Sequence, residues 1–208
     1  MKEELKFFKD ELLKIQDENI RRFATESLDS LPDYFWHVPA SSTGKYHPNY
    51  ALGDGGLIRH TKGAVKIALE LFNNHTVQDF TQQEKDIIVC ALLLHDGCKS
   101  GLNHSKHTIT EHPLVVADYI LNNENINKLI TKDVLNQIVS LIRCHMGEWN
   151  TDYKTKKEVL PKPKSKMEKF VHMCDYLASR KCIEINFDVL FDIKIKNSLK
   201  SIDGVNKV

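Results

Sequence analysis

The chain carries almost no net charge, no long apolar run and no cysteine framework, and each shortage closes off a class of function. Its 29 Lys and Arg nearly cancel 28 Asp and Glu, leaving +1 at neutral pH. That balance excludes a strong global pull toward nucleic acid or anionic membrane. No apolar stretch approaches the roughly 20 residues of a membrane span, and the opening MKEELKFFKDELLK is too acidic to read as a secretory signal. The five cysteines, Cys90, Cys98, Cys144, Cys174 and Cys182, form no C-x-x-C pair. An odd, scattered set suits a reducing compartment, so a cytoplasmic location is expected rather than a disulfide scaffold. Internal repeats and composition breaks are missing too. With 41% hydrophobic and 27% charged residues over 208 positions, one soluble domain around one core is expected.

Helical periodicity is what the chain has in abundance. Residues 2–29 carry it and stop at Leu31-Pro32. A loop from Asp33 to Gly55 follows, rich in aromatics, Gly, Pro and Ser, and connections of that length tend to be functional. A helix from Gly56 to about Asn73 then places Leu57, Ala64, Ile67, Ala68 and Leu71 on one face, with His60 among them. Thr81 and Glu84 make a capping box for a helix running through DIIVCALLL to the pair His95-Asp96. Thr110 or Glu111 opens the next, which tolerates Pro113 in its first turn. Thr131 caps KDVLNQIVSLIRCHM, where His145 continues the stripe of Ile138, Leu141 and Ile142. After the lysine-rich YKTKKEVLPKPKSK, the helix MEKFVHMCDYLASRK sets Asp175 on the face of Val171 and Ala178. The tail from Cys182 reads as either a short strand or a helix. The expected fold is all-α, with a helical lead over 1–32, a main domain over 33–182, and a C-terminal segment, 183–208, packed on it.

Six side chains on this scaffold are costly to bury unless something pairs with them. They are His60, His95, Asp96, His112, His145 and Asp175, and all six are ligands for divalent metals. As a set they point to a metal site inside the helical bundle, a known use of bundle cores. His60, His95, Asp96 and Asp175 supply four ligands for one ion. The second oxygen of Asp96 can bridge to another ion held by His112 and His145. The mixed nitrogen and oxygen set suits Mn, Fe, Co, Ni, Zn or Mg, one ion or two, without choosing among them. Cys144 and Cys174 stand beside two of these residues, so thiolate ligation is the competing reading. Open positions on such ions activate water, and a pair of ions clamps the attacking and leaving oxygens of a phosphoryl group.

The order H…HD…H…H…D, in the contexts GGLIRHT, LLLHDGCK, EHPLVVA, RCHMG and HMCDYLA, resembles the HD-domain metal-dependent phosphohydrolases over roughly Tyr34 to Lys181. That resemblance implies an all-α HD bundle. It implies a first ion on His60, His95, Asp96 and Asp175, and a second involving His112 and His145. Lys99 stands at the lysine of HDxxK, which implies contact with substrate phosphate or the attacking water. The lead-in Pro39-Ala40, Tyr46-His47-Pro48 and Gly55-Gly56-Leu57, with the later pair His172 and Asp175, is similar to the HD region of bacterial 3′→5′ exoribonucleases. Those proteins carry an oligonucleotide-binding barrel before the HD region, where this chain has a short helical lead. They often show a His-His pair where His145-Met146 stands here.

The expected activity is cleavage of a phosphoester in a nucleotide or short oligonucleotide. A 3′→5′ exonuclease is one form of it. A hydrolase of nucleoside phosphates, dinucleoside polyphosphates or cyclic dinucleotides is another. A protein that binds a nucleotide without hydrolysing it is a third reading, from a different class. Asp96 and Lys99 are the candidate catalytic residues, and Lys99, Arg143, His104 and His107 the candidate contacts to a nucleotide or single-stranded substrate. His172 is a candidate support for the ligands. The seven lysines between Lys154 and Lys169 could attract a polyanion. Tyr34, Phe35, Trp36 and Tyr46 could either stack on a base or plug the open side of the bundle.

Overall fold

From Asp86 to Leu94 every side chain is buried, and a helix with no solvent face belongs at the centre of a bundle. The structure, a computed structural model, describes residues 2–76 and 79–187. Among these, the helices are α1 (Lys9–Leu12), α2 (Glu18–Ser30), α3 (Gly56–Phe72), α4 (Gln82–Leu94), α5 (His112–Leu121), α6 (Glu124–Asn127), α7 (Lys132–Cys144) and α8 (Lys166–Ala178). The buried helix α4 lies at the centre, with α2, α3, α7 and α8 around it. Helix α5 packs on α7, and α3 on α8. The only β pairing among the described residues is an isolated antiparallel bridge, Thr151 to Glu158, so the expected all-α class holds. No helix among them is long and apolar enough to cross a membrane.

Local chemistry sets the helix boundaries. Thr81–Glu84 and Ser165–Glu168 are reciprocal capping boxes, and the Thr131 hydroxyl accepts from the Val134 amide. Glu111 is the N-cap of α5, and Pro113 sits in its first turn, where no amide proton is needed. The helical periodicity over 2–29 is realised in pieces rather than as one helix. The chain forms a 3-10 segment (Glu3–Phe8), then α1, and restarts at Asp17, whose carboxylate accepts from the Asn19 and Ile20 amides. The break lets both pieces bury their apolar stripes, Phe7, Phe8 and Leu12 from one and Ile20, Phe23 and Leu28 from the other.

Asp86 on α4 ties that break down. Its carboxylate, almost fully buried, accepts from the Gln16 amide (3.1 Å), the Asp17 amide (2.8 Å) and Gln82 Nε2 (2.8 Å). Asp86→Ala should therefore lower stability by about 2–4 kcal/mol, since it strands two backbone donors. Denaturant unfolding measures this, and a midpoint equal to that of the unmodified chain would show that the tie is dispensable.

The connection 33–55 closes one side of the bundle. Tyr34, Phe35 and Trp36 are buried there and plug it, while Tyr46 remains exposed. Gly56 starts α3 against the Ala51 carbonyl, and any Cβ at this position would collide with that backbone. Residues 183–187 lie along α3: Lys66 donates to the Asn186 carbonyl (2.9 Å), and Phe187 meets Tyr50 edge-on. The rest of the expected C-terminal segment, 188–208, lies outside the described residues.

Candidate metal centre

The helix ends and faces bring all six candidate ligands to one point. His60 comes from the middle of α3, His95 and Asp96 from just past α4, and His112 from the start of α5. His145 comes from just past α7, and Asp175 from α8. Asp96 stands in the middle. Its Oδ2 lies 3.6 Å from His60 Nε2 and 3.4 Å from His95 Nε2, while its Oδ1 lies 3.0 Å from His112 Nε2 and 3.7 Å from His145 Nε2. Asp175 Oδ1 closes the first group at 2.9 Å from His60 Nε2 and 3.5 Å from His95 Nε2. His112 and His145 bring their Nε2 atoms within 3.3 Å of each other in the second. Two groups of donors thus share one carboxylate.

Three of the four imidazoles have their protons assigned by the backbone. Nδ1 of His95, His112 and His145 lies 2.7, 2.7 and 2.8 Å from the carbonyls of Leu92, Ile109 and Ile142, each three residues earlier. A carbonyl only accepts, so Nδ1 carries a proton and Nε2 is the nitrogen turned toward the centre. His95 Nε2 and Asp96 Oδ1 are buried without a hydrogen-bond partner. Orphaned polar atoms at the focus of a mixed N/O donor set are what a divalent cation satisfies. Overlapping sets drawn from these six residues, with ligand atoms all within 4.8 Å, fit such an ion. No cysteine belongs to them. Cys144 and Cys174 are buried away from this focus, and burial pushes the Cys144 thiol up to about 12.

The charge state of the metal-free chain points the same way. Burial opposes ionisation of Asp96, but Lys99 and His95 outweigh it and hold the carboxyl well below its usual range. Burial likewise opposes Asp175, which His60 and His95 keep ionised. His95 is pushed up to about 10, because Asp96 and Asp175 overcome its burial, whereas burial and the nearby His95 push His145 down to about 3. Two ionised carboxylates that draw a proton onto His95 make a cation-seeking pocket.

Above the centre opens a cavity of about 610 Å³, lined by Asp96, His112, His145 and Asp175 at its floor and by Tyr46, His47, Lys99, Trp149, Tyr176 and Arg180 around them. Lys99 Nζ donates to Asp96 Oδ2 and faces this space. The other expected substrate contacts are elsewhere. Arg143 pairs with Asp118 (2.8 Å) and lines a separate groove with Lys162 and Lys164. Two residues along a helix turn the side chain by about 200°, so Arg143 cannot share the direction of His145. His104 stacks on Tyr34 (4.5 Å between centroids), and His107 is exposed; neither lines the cavity. Lys162 pairs with Glu158 and Lys166 with Glu84, so part of the lysine run is already neutralised. His47 stood out only through the Tyr46-His47-Pro48 lead-in, and Trp149, Tyr176 and Arg180 had no signal of their own in the sequence beyond nearness to candidate ligands.

His172 supports the second group from behind. Its Nδ1 donates to the His145 carbonyl (2.7 Å), and its ring fills the space above Gly147, a glycine at φ 61°. A Cβ there would sit inside the His172 ring, in a backbone conformation that only glycine takes cheaply. Gly147→Ala should cost about 1–3 kcal/mol and loosen His145. Thermal unfolding and bound-metal analysis would read both, and unchanged values in both would show that His172 does not hold the turn.

The HD domain family model matches residues 57–180, more than half of the chain and a span that contains all six candidate ligands. No curated protein and no solved structure matches the chain.

Proposed function

Because the chain belongs to the HD-domain superfamily of metal-dependent phosphohydrolases, we propose that it cleaves a phosphoester of a nucleotide or short single-stranded oligonucleotide at the centre around Asp96. The observation that carries this reading is the division of the Asp96 carboxylate, one oxygen toward His60 and His95 and the other toward His112 and His145. His60, His95, Asp96 and Asp175 would hold one divalent ion, and Asp96, His112 and His145 a second. When bound, such ions supply Lewis-acid polarisation of the phosphoryl oxygens and lower the pKa of the attacking water. Lys99 faces the cavity with its ammonium on Asp96 and places positive charge where a phosphoryl oxygen gains negative charge. The buried imidazoles, tied through Nδ1, keep their geometry without reorganising as the ester enters.

A cavity of about 610 Å³ is the size of a small-molecule site. It favours one nucleotide at a time, whether a small nucleotide or the 3′ end of a strand. Lys99, placed for charge stabilisation, favours turnover over mere capture. Incubating the chain with a panel of nucleotides and end-labelled single-stranded RNA and DNA, with added Mn²⁺, Fe²⁺, Co²⁺ or Ni²⁺, tests the reading. A ladder shortening from the 3′ end supports the exonuclease form, and release of phosphate or a mononucleotide from small substrates supports the other. Binding with no product under any metal would mean capture without hydrolysis.

A further inference from the structure

One wall of the cavity carries an aromatic shelf that the ligand set does not require. Trp149, four residues past His145, lies flat against Tyr176, the neighbour of Asp175, with ring centres 5.4 Å apart and planes 13° from parallel. The Arg180 guanidinium sits 4.3 Å from the Tyr176 ring centre and 5.7 Å from that of Trp149. All three line the cavity that holds Asp96, Lys99 and Asp175. Trp149 is nevertheless 43% exposed, with Tyr176 stacked on it and the His172 ring tilted beside it at 6.0 Å. Arg180 donates to the Ser179 hydroxyl and the Tyr176 carbonyl, and no carboxylate pairs with it among the described residues. An exposed indole and an anion-ready guanidinium therefore stand together beside the phosphoester site.

Resting on the phosphohydrolase reading above, we propose that Trp149, Tyr176 and Arg180 form the nucleobase site of this cavity. An unpaired base stacks on the exposed indole of Trp149, and Arg180 takes a phosphate oxygen, which sets the ester over Asp96 and Lys99. Stacking of this kind is tolerant of base identity, because every base has a π face. The substrate class is a nucleotide unit with a free base, either a mononucleotide or the last residue of a single strand. A base inside a duplex has both faces already covered and does not fit this shelf.

The chain has two tryptophans, and Trp36 is buried, so the fluorescence of Trp149 reports on the shelf directly. AMP should quench it saturably, and ribose 5-phosphate, which has no base, should not. Oligoadenylate saturating at much lower concentration than AMP would identify a strand end as the ligand, and equal affinity a mononucleotide. In turnover, the readout is the preference for a nucleoside p-nitrophenyl phosphodiester over methyl p-nitrophenyl phosphate. W149A should reduce that preference roughly tenfold, through KM rather than kcat, and W149F should restore most of it. No quench by AMP or oligoadenylate, together with an unchanged preference in W149A, would overturn the base site. Failure of the unmodified chain to hydrolyse either ester under any metal would instead count against the phosphohydrolase reading, and the AMP titration would still decide the shelf.

Discussion

Asp96→Ala is expected to lose hydrolysis and bound metal together. Its carboxylate turns one oxygen to each half of the centre. Polarisation by a bound ion is worth several kcal/mol in the transition state, or about three decades of rate at roughly 1.4 kcal/mol per tenfold. Elemental analysis should show the metal gone with the activity. A folding control comes from the same linkage. In the unmodified chain, metal at a hundredfold excess over its dissociation constant should stabilise by about 2.7 kcal/mol, and Asp96→Ala should show almost none of this gain. Wild-type turnover by metal-supplemented Asp96→Ala would end the assignment of the centre.

The second large effect separates one ion from two. His112→Ala and His145→Ala should each lower the bound metal by about one ion per chain, because both imidazoles face Asp96 Oδ1 and each other. His60→Ala should empty the other side, where its Nε2 meets Asp175 and Asp96 Oδ2. Hydrolysis should collapse in all three, since a two-ion clamp fails when either member is lost. A wild type holding one ion, with no loss in His112→Ala or His145→Ala, would reduce the centre to its first four ligands. Phosphoester cleavage would survive that result.

The ligands were legible because each announces itself locally: a polar side chain on an apolar face, or a histidine where a helix runs out. Periodicity reports direction relative to the core, and for His60, His145 and Asp175 that was enough. The capping boxes at Thr81 and Ser165 are likewise written within four residues. What periodicity cannot report is which surface a loop residue lands on. Trp149 reaches the cavity by stacking on Tyr176 of α8, a contact between segments that no local pattern encodes, and Arg180 joins it from just past the end of that helix. The same gap misdirected Arg143, whose nearness to His145 in sequence hides its turn toward Asp118. Residues 2–29 show a different limit. Their apolar spacing is continuous, but Asp17 caps a fresh start, and Asp86, some seventy positions away, holds the break.

The bonds from His95, His112 and His145 to carbonyls three residues back have a consequence for ion choice and exchange. Each imidazole is braced to the main chain near its own helix terminus, so the spacing of the nitrogens is inherited from where α4, α5 and α7 stop and start. An ion that wants longer or shorter bonds cannot recruit a new rotamer; it must shift whole helices against a close-packed core. With ions bound, a centre braced at these three imidazoles would act as a stiff socket, in which ions would swap without the chain reordering and the bundle would select by radius.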